Sequence, residues 1–241
     1  MLYTKQSYVP ASMCDAATKL SDIAVFQVVE DAVTELMGDL HIDGITAMRE
    51  YDAMWVFVKN CIRIFRRPRW REEYETRCFV SGVSAVKLLI DTELRTPDGE
   101  PLIHSRLELC ALDLKKGRIR RTGTVGVSAD MIGGEPLPEL AFARFPKETP
   151  QIMETVTVRS TNLDYCSHTN NVEYVRFILN TYPAATFQRR ELRLLEIHYG
   201  NQTHEGDELQ IGKIPLAGAD YFSVSAGEKT AAECMLHWEE A

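Results

Sequence analysis

The feature that most constrains this chain is that its second half repeats the plan of its first. A repeat with a period of half the chain is too long for a solenoid and points to two tandem units. The first half opens with a short extended segment and then Asp15-Ala16-Ala17-Thr18-Lys19-Leu20-Ser21-Asp22. Ile23, Phe26, Val29, Val33, Leu36 and Met37 follow at helical spacing, with Ser21 or Asp22 to cap the start and Gly38 to end the run. The second half opens with Glu154-Thr155-Val156-Thr157-Val158 and then Asp164-Tyr165-Cys166-Ser167-His168-Thr169-Asn170-Asn171. Val172, Val175, Ile178, Leu179 and Tyr182 continue on one helical face, Asn170 or Asn171 is a natural cap, and Pro183 breaks the run. Side by side, Asp15 matches Asp164, Ser21 matches Asn170, and Lys19 stands where His168 stands.

After each helix the period becomes that of long strands. In the first half these cover approximately 55–65, 73–80, 85–95 and 102–114, with Pro97-Asp98-Gly99 as a hairpin turn; in the second, approximately 191–199, 208–214, 220–225 and 230–238, with Ala226-Gly227-Glu228 in the matching place. The aligned segments set Cys110 opposite Cys234. Each half is therefore a helix followed by an antiparallel meander, an α+β plan in which a sheet wraps the apolar face of a long helix. The predicted organisation is an N-terminal unit over 1–132, a Gly- and Pro-rich linker over 133–150, and a C-terminal unit over 151–241.

Composition narrows the function. The net charge of −8 speaks against a nucleic-acid protein, because phosphate neutralisation needs a basic surface. Local basic clusters remain at Arg63, Arg66, Arg67, Arg69 and Arg71, at Lys115 to Arg121, and at Arg189, Arg190 and Arg193; these are solvated strand and hairpin faces or docking points for an acidic partner. The six cysteines form no CxxC pair and show no zinc spacing, which fits free thiols in a reducing compartment. No apolar stretch approaches the ~20 residues needed to span a bilayer, and Met1 to Ser7 lacks the apolar run of a signal peptide. The expectation is a soluble, cytoplasmic protein.

The segment Asn162-Leu163-Asp164-Tyr165-Cys166-Ser167-His168-Thr169-Asn170-Asn171-Val172-Glu173-Tyr174, opening the second helix of a tandem helix-plus-meander chain, resembles the acyl-carrier-protein thioesterases of plants and bacteria. Trp55 with Pro68-Arg69-Trp70 looks like that family's strand-and-turn pattern in the first half. The resemblance implies a double hot-dog fold and hydrolysis of fatty acyl thioesters on acyl carrier protein in fatty acid biosynthesis; the alternatives are hydrolysis of coenzyme A esters, or acyl-thioester binding without hydrolysis. It also implies no metal or organic cofactor, and leaves the protein a monomer or homodimer. Two positions depart from the family pattern. Cys166 stands where an Asn is usual, and Gln202 stands where a Glu is usual, before Thr203-His204-Glu205-Gly206-Asp207.

Thioester hydrolysis needs a polarised carbonyl, an activated water or nucleophile, and a stabilised oxyanion. The helix start at Asn170 and Asn171 offers unpaired N–H groups and a positive dipole end for the carbonyl oxygen. Asp164 is the candidate base or nucleophile, and His168 the candidate group to polarise or protonate. The plainer account of Asp164 is an Asx turn, which the matching Asp15 supports. In an extended segment Cys166 and His168 would point to one side, allowing a thiolate–imidazolium pair; the competing account makes Cys166 a small polar lining residue. Gln202 orients a water but cannot accept its proton, which leaves that role to Asp164. His204 is a secondary candidate for orienting water, and His198 flanks the same region. Trp55 and Phe57, with Phe26, Met37 and Leu89, are candidates to line an acyl slot, or are ordinary core.

Overall fold

The computed structural model describes residues 1–240. The chain divides into two compact units, Met1–Ala141 and Phe142–Ala241, a division that falls inside the stretch read as linker.

In the first unit the strands are β1 (Leu2–Tyr8), β2 (Ala53–Ile64), β3 (Glu73–Val83), β4 (Leu88–Arg95) and β5 (Pro101–Asp113), and the helices are α1 (Asp22–Asp39) and α2 (Gly44–Tyr51). The strands pair antiparallel in the order β1-β3-β4-β5-β2. Ser21 caps α1 by accepting the Ala24 N–H at 3.1 Å, which satisfies one of the orphan donors at a helix start. Its apolar stripe then buries Val25, Phe26, Val29, Val33, Leu36 and Met37, each worth about 1.5–3 kcal/mol of transfer free energy. The part of that stripe from Val33 to Met37 shares a core with Cys78, Val80, Leu88, Ile90, Leu107 and Leu109 of the sheet. Gly99 takes φ +91° in the hairpin turn after β4, a conformation open to glycine without steric cost.

In the second unit the strands are β6 (Gln151–Thr157), β7 (Arg190–Tyr199), β8 (Glu208–Leu216), β9 (Ala219–Ala226) and β10 (Lys229–Glu240), with helices α3 (Asn171–Asn180) and α4 (Ala184–Arg189). Their order is β6-β8-β9-β10-β7, again antiparallel and the same order strand for strand as in the first unit. Val172, Val175, Ile178 and Leu179 of α3 are buried. Pro183 ends the run, and a short α4 that the sequence reading did not anticipate begins immediately after it.

The Gly- and Pro-rich stretch is pinned rather than loose. In the first unit Arg106 pairs with the fully buried Asp91 at 2.6 Å and donates to the Leu137 and Leu140 carbonyls at 2.9 and 2.6 Å. In the second, buried Glu196 accepts the Ala143 N–H at 2.9 Å and meets His198 Nε2 at 2.6 Å, and the His198 ring stacks on Phe145. Among the described residues no helix is long and apolar enough to cross a membrane.

Candidate active site

The segment Asp164 to Asn171 forms a tight loop that delivers the chain into α3. Asp164 Oδ1 accepts the N–H groups of Cys166 at 2.8 Å and His168 at 3.1 Å, and the Asp164 N–H returns to the His168 carbonyl at 2.8 Å. Asp164 is thus the Asx-turn residue that its type favours before a helix. Ser167 turns the loop at φ +63°, so Cys166 and His168 are not two steps along one extended face. The expected thiolate–imidazolium geometry is lost for that reason. Burial pushes the Cys166 thiol up from its ordinary range, and the neighbouring Asp164 charge adds to it; the thiol is held protonated. Asn170 caps α3, its Oδ1 accepting the Val172 N–H at 3.0 Å. The Asn171 N–H, one position earlier, meets no protein acceptor among the described residues.

The segment after β7 closes over this loop. Thr203 is buried, with Oγ1 at 2.7 Å from both the Thr169 hydroxyl and the Tyr174 hydroxyl, and its carbonyl accepts the Thr169 N–H at 2.9 Å. This hydroxyl cluster escaped the sequence reading, because Thr and Tyr carry no pattern that marks such a contact. It fixes Gln202, which is exposed, and His204, which follows, beside the loop. The His204 ring meets the His168 ring edge-to-face, with centroids 5.2 Å apart. His198 lies elsewhere, on β7 with Glu196 and Phe145.

The first unit holds a twin of this arrangement. Asp15 Oδ1 accepts the N–H groups of Ala17 at 2.9 Å and Lys19 at 3.1 Å, and Thr18 takes φ +59° where Ser167 takes +63°. Leu20 N–H bonds to the Pro68 carbonyl as Thr169 N–H bonds to that of Thr203. Arg71 N–H reaches the Val9 carbonyl as Gly206 N–H reaches that of Val158. The Arg69 N–H donates to Glu72 as the His204 N–H donates to Asp207, both at 2.8 Å. Arg67 therefore occupies the position of Gln202. Its Nη1 donates to Asp15 Oδ2 at 2.6 Å and to the Leu20 carbonyl at 3.1 Å. The acid that closes each segment, Glu72 or Asp207, is the sequence signal that could have revealed this second correspondence.

Trp55 and Phe57 pack on the core of the first unit, and the Trp55 indole donates to the Ile42 carbonyl at 2.6 Å. Phe26 and Met37 are buried in the same unit, while Leu89 is half-buried. Among the described residues no cluster of three or more His, Cys, Asp or Glu side chains could hold a metal ion.

The fold is that of a tandem hot-dog protein. Residues 146–237 match the model of the acyl-ACP thioesterase C-terminal domain. The chain is 23% identical over 172 residues to oleoyl-acyl carrier protein thioesterase 2 of Arabidopsis thaliana, covering 66% of this chain and 47% of that protein. It is 24% identical over 180 residues to the acyl-[acyl-carrier-protein] hydrolase FATB3 of Cuphea viscosissima, covering 68% and 41%. The chain spans less than half the length of these curated relatives. In fold it resembles an acyl-ACP thioesterase of Bacteroides thetaiotaomicron with a TM-score of 0.91 at 20% identity, over 99% of this chain and 98% of that one. It resembles the 12:0-ACP thioesterase of Umbellularia californica with a TM-score of 0.84 at 17% identity, over 100% and 98%.

Proposed function

We propose that this protein hydrolyses fatty acyl thioesters carried on acyl carrier protein, releasing the free acid. The observation that carries the reading is the difference between the two loops at the aspartate. In both, one carboxylate oxygen builds the turn. In the first unit the other oxygen is taken by Arg67; in the second, Asp164 Oδ2 accepts no protein hydrogen bond among the described residues, and an uncharged Gln202 holds the Arg67 position. Asp164 Oδ2 is the proton acceptor for a water that Gln202 orients. As the water attacks the thioester carbon, its proton passes to Asp164, and the carbonyl oxygen gathers charge at the N-terminus of α3, toward the Asn171 N–H. His168 supplies the proton or hydrogen bond as the C–S bond breaks. A thiolate leaves readily, so the demand on that acid is modest. Cys166, kept as a thiol, lines the site.

The acidic carrier would be met by one of the exposed basic clusters, around Lys115 in the first unit or around Arg189 in the second; Arg66 is half-buried and paired with Glu72 at 2.8 Å. Arg67 drops out as well, because it is buried against Asp15. The deciding experiment offers the purified protein acyl groups on acyl carrier protein and on coenzyme A and follows thiol release. Release from the carrier protein, reduced by added salt, is expected. Release from coenzyme A alone would replace the carrier reading, and release from neither would leave an acyl-binding protein.

A further inference from the structure

We infer that His204 is the positioning residue of His168, setting the tilt of its ring for reaction. The inference rests on the thioesterase reading above and names a group which that reading does not use. Three observations carry it. The first is the ring contact. His204 has 60% of its side chain exposed, with Nδ1 4.0 Å from Asp207 Oδ2, and its ring lies edge-to-face on His168 at 5.2 Å. Such aromatic contacts prefer a defined mutual angle, so the second ring limits the rotation of the first.

The second observation is that the backbone beneath His204 is fixed on both flanks. Before it, Thr203 is locked by Thr169 and Tyr174. After it, Asp207 Oδ2 accepts the His204 N–H at 2.8 Å, the Gly206 N–H bonds to the Val158 carbonyl, and the Val158 N–H bonds to that of Asp207. The Cα from which the ring projects is thus held in place on both sides.

The third is the comparison of the twins. The scaffold is the same in both: the aspartate, the left-handed residue three positions on, the helix cap and the closing acid. Among the side chains that change are two at positions bridged across it. Lys19 and Arg69 of the first unit become His168 and His204 of the second, and the backbone bridge between Lys19 and Arg69 shows that these two positions are neighbours in the twin as well. Where the loop is furnished for chemistry, both members of the pair are imidazoles.

The test compares the parent with His204→Ala and His204→Phe, the latter keeping a ring without its nitrogens. Steady-state kinetics on acyl-acyl carrier protein are read alongside ring ¹⁵N signals of His168 in histidine-labelled protein. His204→Ala should lower kcat about tenfold, the scale of a misplaced reacting group, with KM moved by less than about twofold. His204→Phe should return kcat to within about threefold of the parent. The His168 signals should move in the alanine variant and return in the phenylalanine variant. Parental kcat and unmoved His168 signals in His204→Ala would overturn the inference. So would loss of activity in both variants with unmoved signals, which would make His204 a direct participant. If the parent cleaves no thioester, the functional reading falls, and the His168 signals alone still decide whether His204 positions that ring.

Discussion

The loops before α1 and before α3 are one scaffold used twice, and the contrast between them separates what holds the chain from what the proposed chemistry would use. Backbone donors converge on Asp15 Oδ1 and on Asp164 Oδ1 at nearly the same distances. Each loop crosses a left-handed residue and ends in a polar helix cap. The first closes on itself, because the buried Arg67 neutralises the partly exposed Asp15. Among the described residues, the second has no guanidinium on its outer carboxylate oxygen and carries two imidazoles in edge-to-face contact. A residue found in both loops therefore cannot owe its presence to catalysis alone, whereas a residue found only in the second loop can.

The largest test of this contrast replaces like for like. Asp164→Asn keeps an oxygen for the Cys166 and His168 N–H groups and removes only the proton acceptor, so turnover should fall by ~10² or more while the melting temperature holds. His168→Ala should cause a fall of the same order. The twin substitutions Asp15→Asn and Lys19→Ala should leave turnover within about twofold. If Asp164→Asn were as active as the parent, Asp164 would be scaffold and nothing more, and the two loops would differ in less than we propose.

The next effect is on stability and belongs to the other loop. Arg67→Gln makes the first unit resemble the second at that position and leaves Asp15 Oδ2 without its guanidinium. Because Asp15 is a quarter exposed and can recover water, the expected loss is about 2 kcal/mol, below the range for a fully buried pair. Denaturant unfolding measures it, and turnover should not change. A variant as stable as the parent would show that the pair is dispensable and that the twin loop is not held by it.

Gln202→Glu runs in the opposite direction. It adds a proton acceptor beside the presumed water and should raise turnover by about three- to tenfold. Two carboxylates sharing a site hold one proton to higher pH than either would alone, so the gain should grow as pH rises and vanish in acid. A pH–rate profile that falls throughout would remove Gln202 from the water's surroundings.

How much of this was legible in the sequence follows from which interactions leave a pattern. The strands did, because alternation and Gly turns register in composition: the strand expected over 208–214 is Glu208–Leu216, and that over 220–225 is Ala219–Ala226. So did the Ser21 and Asn170 caps. The correspondence of Asp15 with Asp164 was visible; that of Arg67 with Gln202 was marked in the sequence only by the closing acids Glu72 and Asp207, and the backbone bonds to Pro68 and Thr203 establish it. The short helices α2 and α4 are too brief for a periodic signal. The stretch over 133–150 reads as a linker, and its attachment to Arg106 leaves no mark in the sequence, because Arg106 binds carbonyls and every residue type has one. The extended geometry expected at Cys166 failed on Ser167, a residue with no special preference for the left-handed region.

Cys166 carries the smallest predicted effect and the sharpest mechanistic contrast. Its twin is Ala17, and both positions give the aspartate a backbone N–H, so the loop does not require the thiol. The turn at Ser167 removes the geometry by which His168 would have taken its proton, and burial with the Asp164 charge holds the thiol above its ordinary range. A thiol in that state is a poor nucleophile near neutral pH. Cys166→Ala should therefore lower turnover by less than about threefold, far under the effect of losing an acid–base group. Alkylation of Cys166 by iodoacetamide, followed by peptide mass spectrometry, should be slower than that of a free cysteine at pH 7 and should accelerate toward alkaline pH. Rapid alkylation at neutral pH, or an acyl group trapped on Cys166 during turnover, would make the cysteine the nucleophile, and the contrast between the two loops would then lie at Ala17 and Cys166 instead of at the aspartate.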